Sequence, residues 1–230
     1  LAVRRRLKVG QNFDIICGFD LNKSKDQHNV WTYFKINKPF VAVMAPMCKA
    51  FGPLSNWNEI NAPEAWAESY RLGAPHGRFC GQVARFQDDE GRFYLNEQPH
   101  PSKLYREPPW PLVLARPSSV SIVVHQCMTG QRGPKDGLPA KKTTMFVANH
   151  ETLLKPLEKF WCDGSKHPVH SDLLNGASGP LQLWTWKLCQ AIVDGIVLLR
   201  KELGVTNKSY VSFFPEVGTC LLYTSPSPRD

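Results

Sequence analysis

The sequence predicts an α/β fold: a three-layer, Rossmann-like domain built on a mostly parallel sheet and truncated at its N-terminal side. Three observations carry this. The stretch 41–45 (VAVMA) is apolar without alternation, the pattern of a strand buried on both faces. An apolar segment, a helical pattern and then that strand follow one another, the order of a right-handed parallel crossover. Two β-branched runs and a long amphipathic helix follow downstream.

In chain order, 13–17 (FDIIC) reads as the first strand, closed by Gly18 and followed by Asp20. Residues 25–36 place Val30, Phe34 and Trp31 on one helical face, and Pro39 ends the element. The strand at 40–45 stops at Pro46 and Gly52-Pro53, which leaves Cys48 on the loop beyond its carboxyl end. Ligands and reactive groups collect there in open α/β sheets. Cys48 is therefore either a nucleophile or a small apolar residue filling a gap. Ala62-Pro63-Glu64 starts a helix, with segments expected over 63–72 and 76–87 and a break at Gly73-Ala74-Pro75.

The stretch 92–99 is a strand, and 99–118 is proline-rich, with Trp110 a candidate for a surface role. Strands follow at 119–127 and 143–150, and an amphipathic helix at 181–203. Cys17, Cys80, Cys127 and Cys189 are assigned to packing, and Trp184 and Trp186 to the core and rim of the last helix. His125 is either a satisfied strand-end histidine or a proton shuttle.

The chain has 230 residues, enough for one well-packed domain, with 42% hydrophobic and 21% charged residues. Its boundaries are expected at 1–12 (upstream linker), 13–205 (domain) and 206–219 (extension). Residues 220–230 (CLLYTSPSPRD) resemble translated sequencing adapter. No run suits a membrane span, and the start shows no secretory signal. The seven cysteines form no disulfide-like framework and no CxxC, which points to a reduced, intracellular protein, nuclear or cytoplasmic. The formal charge of +8 favours a polyanionic partner. Cys162, His167 and His170 have the spacing of part of a zinc site. A tetrahedral site needs a fourth ligand, none is evident, and no metal is expected.

Several motifs follow one another along the chain: Gly18-Phe19-Asp20-Leu21, Lys38-Pro39, and Pro46-Met47-Cys48 with Phe51. They continue with Gly91-Arg92-Phe93-Tyr94-Leu95-Asn96-Glu97-Gln98-Pro99, His125-Gln126-Cys127, Lys141-Lys142-Thr143-Thr144-Met145-Phe146, and Cys162 with His167 and His170. Over roughly 13–203 this series resembles the cytosine-5 DNA methyltransferase-like domain of copia-type retroelement polyproteins, dinoflagellate-like. The resemblance implies Cys48 as the nucleophile at cytosine C6 and Glu97 as the acid at N3, so that C5 gains the electron density to accept a methyl group. It implies S-adenosylmethionine as cofactor, with Asp20 and Pro46 at its site. Nucleic acid, DNA foremost, would be the partner, contacted by Lys49, Lys141 and Lys142, alongside other domains of the polyprotein. A target base in duplex DNA would be flipped out.

The departures are Met47 between the proline and the cysteine, Gln98-Pro99 after the glutamate, and Met145 in place of an arginine. The glycine-rich cofactor loop is expected upstream of Leu1, which would leave the fragment incomplete or inactive. The alternative reading is a catalytically silent nucleic-acid-binding or scaffold module.

Overall fold

A computed structural model describes residues 1–173, 179–205 and 210–214, the last five as backbone. Six strands form one mixed sheet: β1 (Lys8–Asn12), β2 (Val41–Met44), β3 (Phe93–Pro99), β4 (Val120–His125), β5 (Thr143–Ala148) and β6 (Tyr210–Phe214), in the order β1-β6-β2-β3-β5-β4. The pairs β1·β6, β6·β2 and β2·β3 are parallel, whereas β3·β5 and β5·β4 are antiparallel. The expectation of a mostly parallel sheet is corrected accordingly. β5 enters between β3 and β4 running against both, because the excursion from β4 to β5 carries no crossover helix and returns the chain as a hairpin-like partner.

The helices are α1 (Ser24–Asn37), α2 (Ser55–Asn61), α3 (Pro63–Asp89), α4 (Trp110–Leu114) and α5 (Trp186–Glu202). All four residues of β2 are buried, as the unbroken apolar run requires. Val41 and Val43 join a core with Ile192, Ile196 and Leu199 of α5. Ala42 and Met44 join a second core with Val30 and Phe34 of α1 and Phe79 and Val83 of α3. Side chains alternating along one strand therefore feed two cores, one on each face of the sheet.

Several elements differ from the sequence reading. Residues 13–17 are not a strand: Asp14 caps a single 3-10 turn at Ile15–Cys17 by accepting the Ile16 N–H at 2.7 Å. The strand is instead Lys8–Asn12, in the stretch expected to be linker, and the extension expected after residue 205 supplies β6. Residues 220–230, with their adapter-like composition, lie outside the described residues.

The break expected at Gly73-Ala74-Pro75 is absent, and α3 runs for 27 residues through Pro75. Glycine here serves packing rather than termination. A Cβ on Gly77 would meet Leu104, and one on Gly81 would lie 2.8 Å from the Pro109 ring. The bare backbone lets the 103–114 segment lie close, and the Trp110 indole N–H reaches the Gly77 carbonyl at 2.9 Å. Trp110 is thus fully buried, at 0% exposure, and has no surface role. Cys80 and Cys189 are buried as expected, whereas Cys17 is exposed.

Candidate functional site

The parallel register pairs Met44 with Asn96, which brings the loop after β2 alongside the carboxyl end of β3. Gln98, fully buried, donates its Nε2–H to the Pro46 carbonyl at 2.7 Å and accepts from Ser102 Oγ at 3.1 Å. The Cys48 carbonyl accepts the N–H groups of Phe51 (2.9 Å) and Gly52 (3.0 Å), closing a turn. On its other side α3 comes close because residue 73 is glycine: a Cβ there would sit 3.3 Å from the Phe51 ring and 3.6 Å from the Met47 carbonyl oxygen. Cys48 is half-buried in this hydrogen-bonded loop, and Lys49 beside it is exposed.

Glu97 stands on the neighbouring strand at the same end of the sheet and is 5% exposed. Its Oε1 lies 3.8 Å from Lys142 Nζ and accepts no hydrogen bond. Burial pushes the carboxyl above the ordinary glutamate range, against the opposing pull of Lys142 and Trp184. Lys142 in turn donates to the Leu181 carbonyl at 3.3 Å, so this lysine faces inward.

The Asp20 carboxylate is engaged locally. It accepts the Asn22 N–H at 3.1 Å and pairs with Lys23 Nζ at 3.4 Å, and the Asp20 N–H binds Asp26 at 3.0 Å. It acts as a turn and helix-entry group. The buried carboxylate at the carboxyl end of β1 is Asp14, 3% exposed, whose Oδ2 makes no hydrogen bond. Burial raises its pKa, against the Ile16 N–H. His76 on α3 has a buried Nε2 without a hydrogen bond; burial lowers its pKa to about 4, against the charge of Asp20. Sequence reasoning passed over Asp14 and His76, since neither sits in a recognisable motif.

A second cluster lies at the same end of the sheet, on the β4 side. The turn Gln126–Thr129 follows β4 and carries Cys127. Cys162 follows the turns at 151–157, and His167 and His170 lie on the irregular segment behind it. One ligand atom from each of Cys127, Cys162, His167 and His170 falls within 4.8 Å of all the others. Cys162 Sγ is 3.4 Å from His167 Nδ1 and 3.5 Å from His170 Nε2, and those two nitrogens are 3.0 Å apart. The fold supplies the fourth ligand that sequence spacing left missing. It comes from 35 residues upstream, out of a run that reads as core.

Burial and the neighbouring Cys162 push the Cys127 thiol up to about 12. His125 is the satisfied histidine: Nδ1 accepts the Cys162 N–H at 2.9 Å, and its ring lies 4.5 Å from Trp161. Lys141 is half-buried near this cluster, where its charge adds to burial in lowering the pKa of His125. An open cleft of about 410 Å³ beside the cluster is lined by Met128, Lys159, Phe160, Lys166, Lys187 and Gln190.

No helix among the described residues is long and apolar enough to cross a membrane. Comparison of the chain with protein-family models, with curated proteins and with solved structures gives no match.

Proposed function

We propose that this chain is a cytosine-5 DNA methyltransferase-like domain of a retroelement polyprotein, of three-layer Rossmann-like architecture, that engages nucleic acid and uses Cys48 and Glu97 as its reactive pair. The observation that carries the reading is the parallel β2·β3 pairing, which sets the Cys48 loop and Glu97 at one end of adjacent strands. A thiolate at Cys48 would add to cytosine C6. A carboxyl whose pKa is raised suits the partner role, because N3 must accept a hydrogen bond or proton as the ring becomes electron-rich. The raised pKa of Glu97 supports that role. The lysines of the 159–187 cleft, together with Lys49 and Lys141, offer a polyanion a cationic surface.

The residues fit an S-adenosylmethionine site in part. The Asp20 carboxylate is already occupied by its own turn, whereas Asp14 has a buried oxygen free of hydrogen bonds at the carboxyl end of β1, a fit for a ribose hydroxyl. Pro46 offers its ring alone, its carbonyl being taken by Gln98. When bound, the cofactor supplies an electrophilic methyl group.

A second reading, a catalytically silent nucleic-acid-binding module, is favoured by one observation. Glu97 is covered by Trp184 and Lys142, and a base must displace that cover to reach it. The two readings separate in a pair of assays on the full chain: label transfer from S-adenosylmethionine to cytosine-containing DNA, and DNA retention across a salt series. Transfer abolished by Cys48→Ala supports the first reading, and transfer that survives it contradicts the mechanism. Because the cofactor loop is expected upstream of Leu1, the silent module is assigned by retention that fades with salt together with neither transfer nor a covalent adduct of Cys48 on 5-azacytosine DNA.

A further inference from the structure

We propose that Cys127, Cys162, His167 and His170 form a closed, four-coordinate zinc site that fastens the irregular 161–173 segment to the end of β4. The geometry is that of a metal cage. With Zn–S of about 2.3 Å and Zn–N of about 2.0–2.1 Å, a tetrahedron has sulfur–nitrogen edges of roughly 3.5 Å and a nitrogen–nitrogen edge of roughly 3.3 Å. The sulfur–nitrogen separations, 3.4 and 3.5 Å, match, and the histidine pair at 3.0 Å is slightly closer.

The donor chemistry selects the ion. Two sulfurs and two imidazoles with no carboxylate suit zinc over magnesium, calcium or manganese, which take oxygen donors. Four protein ligands leave no position for substrate, so the site is structural rather than catalytic. Binding is charge-balanced: each thiol gives its proton to solvent, and two thiolates neutralise the dication. Both cysteines are deep, at 5% and 2% exposure, and their sulfurs face each other and the two imidazoles.

The surroundings are built to hold the ligands. The Cys162 N–H is fixed by His125 Nδ1, and His125 N–H by the Phe160 carbonyl at 2.8 Å. Beyond His170, the Ser171 N–H binds the Pro139 carbonyl at 2.9 Å. On the other side, Gln126, next to Cys127, takes the Lys142 carbonyl with its N–H at 3.0 Å and reaches Thr144 Oγ1 at 2.8 Å. The residues from 161 to 173 form no helix or strand, and a segment of that length inside a packed fold needs such a fastening. A metal there also fixes the backbone of Lys142, the residue paired with Glu97.

The test uses the full chain, with metal content measured after purification and after chelation and reloading with zinc alone. One zinc per chain is expected, with cobalt replacement giving the visible bands of tetrahedral sulfur–nitrogen coordination. Chelation is expected to lower the urea midpoint and zinc to restore it. Cys127→Ser and Cys162→Ser are each expected to lose the metal, while Cys17→Ser keeps it. Should the ligand variants fail to fold, the cobalt spectrum and the chelation shift of the unaltered chain decide. A chain that takes up neither zinc nor cobalt overturns the proposal, as does stoichiometric zinc retained by both ligand variants.

Discussion

Gln98 and Pro46 are joined by a 2.7 Å hydrogen bond from the side-chain amide to the backbone carbonyl, and this bond ties the end of β3 to the loop that presents Cys48. Gln98→Ala leaves the Pro46 carbonyl buried without its donor. An unsatisfied buried acceptor costs about 1–3 kcal/mol. Urea denaturation is expected to show a loss of that size. Alkylation of Cys48, followed by peptide mass spectrometry, is expected to speed up as its loop loosens. An unchanged rate would mean that the turn closed by the Phe51 and Gly52 amides holds the loop unaided.

Glu97 and His76 set opposite pH dependences. An acid whose folded pKa lies above its unfolded value stabilises the fold at low pH. That contribution is lost as pH rises from the ordinary value of 4.5 through the raised one. Lys142 and Trp184 face the carboxyl and oppose the shift, but burial prevails. Glu97→Gln is therefore expected to flatten the fall in stability above pH 4.5, measured by urea midpoints across a pH series.

For His76 the sign reverses. Its folded pKa of about 4 lies below the ordinary 6.5, so the unfolded chain binds the proton more readily and stability drops as pH falls through that window. His76→Leu is expected to remove this acid-side loss. If the loss persists unchanged in the variant, the imidazole is not the group responsible.

Two glycines in helices should respond differently to alanine. At Gly77 the new methyl meets the end of the Leu104 side chain, which can turn aside; overpacking of this kind costs about 1–3 kcal/mol. At Gly195 it meets the Leu153 backbone, which cannot. Gly195→Ala is expected to lower the thermal midpoint more than Gly77→Ala. The reverse order would place the rigid contact at the wrong glycine.

Much of this fold is legible from local pattern. The all-apolar β2, the β-branched β4 and β5, and the helical stripe of α5 declare themselves because period and burial coincide. The errors have physical causes. The FDIIC segment looks like a strand, yet Asp14 caps a tight turn there. Gly73 and Pro75 look like a break, yet small residues were needed for close approach along an unbroken helix. Trp110 looks exposed in its proline-rich context until a glycine carbonyl 33 residues upstream accepts its N–H. The four-ligand cluster was half legible: Cys162, His167 and His170 are spaced for a metal, but Cys127 joins them through tertiary folding, which spacing does not record. Cys48 is legible as a loop residue beyond a strand and Glu97 through the family resemblance, whereas the inward turn of Lys142 toward Glu97 is not foreseeable from a lysine pair.

The most direct test of the Cys48–Glu97 pair avoids any need for a methyl donor. An oligonucleotide carrying 5-azacytosine has a ring more open to attack at C6, so a competent thiolate forms a covalent adduct without methyl transfer. The full chain is incubated with this oligonucleotide, denatured and mapped by peptide mass spectrometry. The expected result is an adduct on Cys48, absent in Cys48→Ala and weakened in Glu97→Gln. No adduct in the unaltered chain under conditions where it retains the DNA, or an adduct that persists in Cys48→Ala, would contradict the assignment.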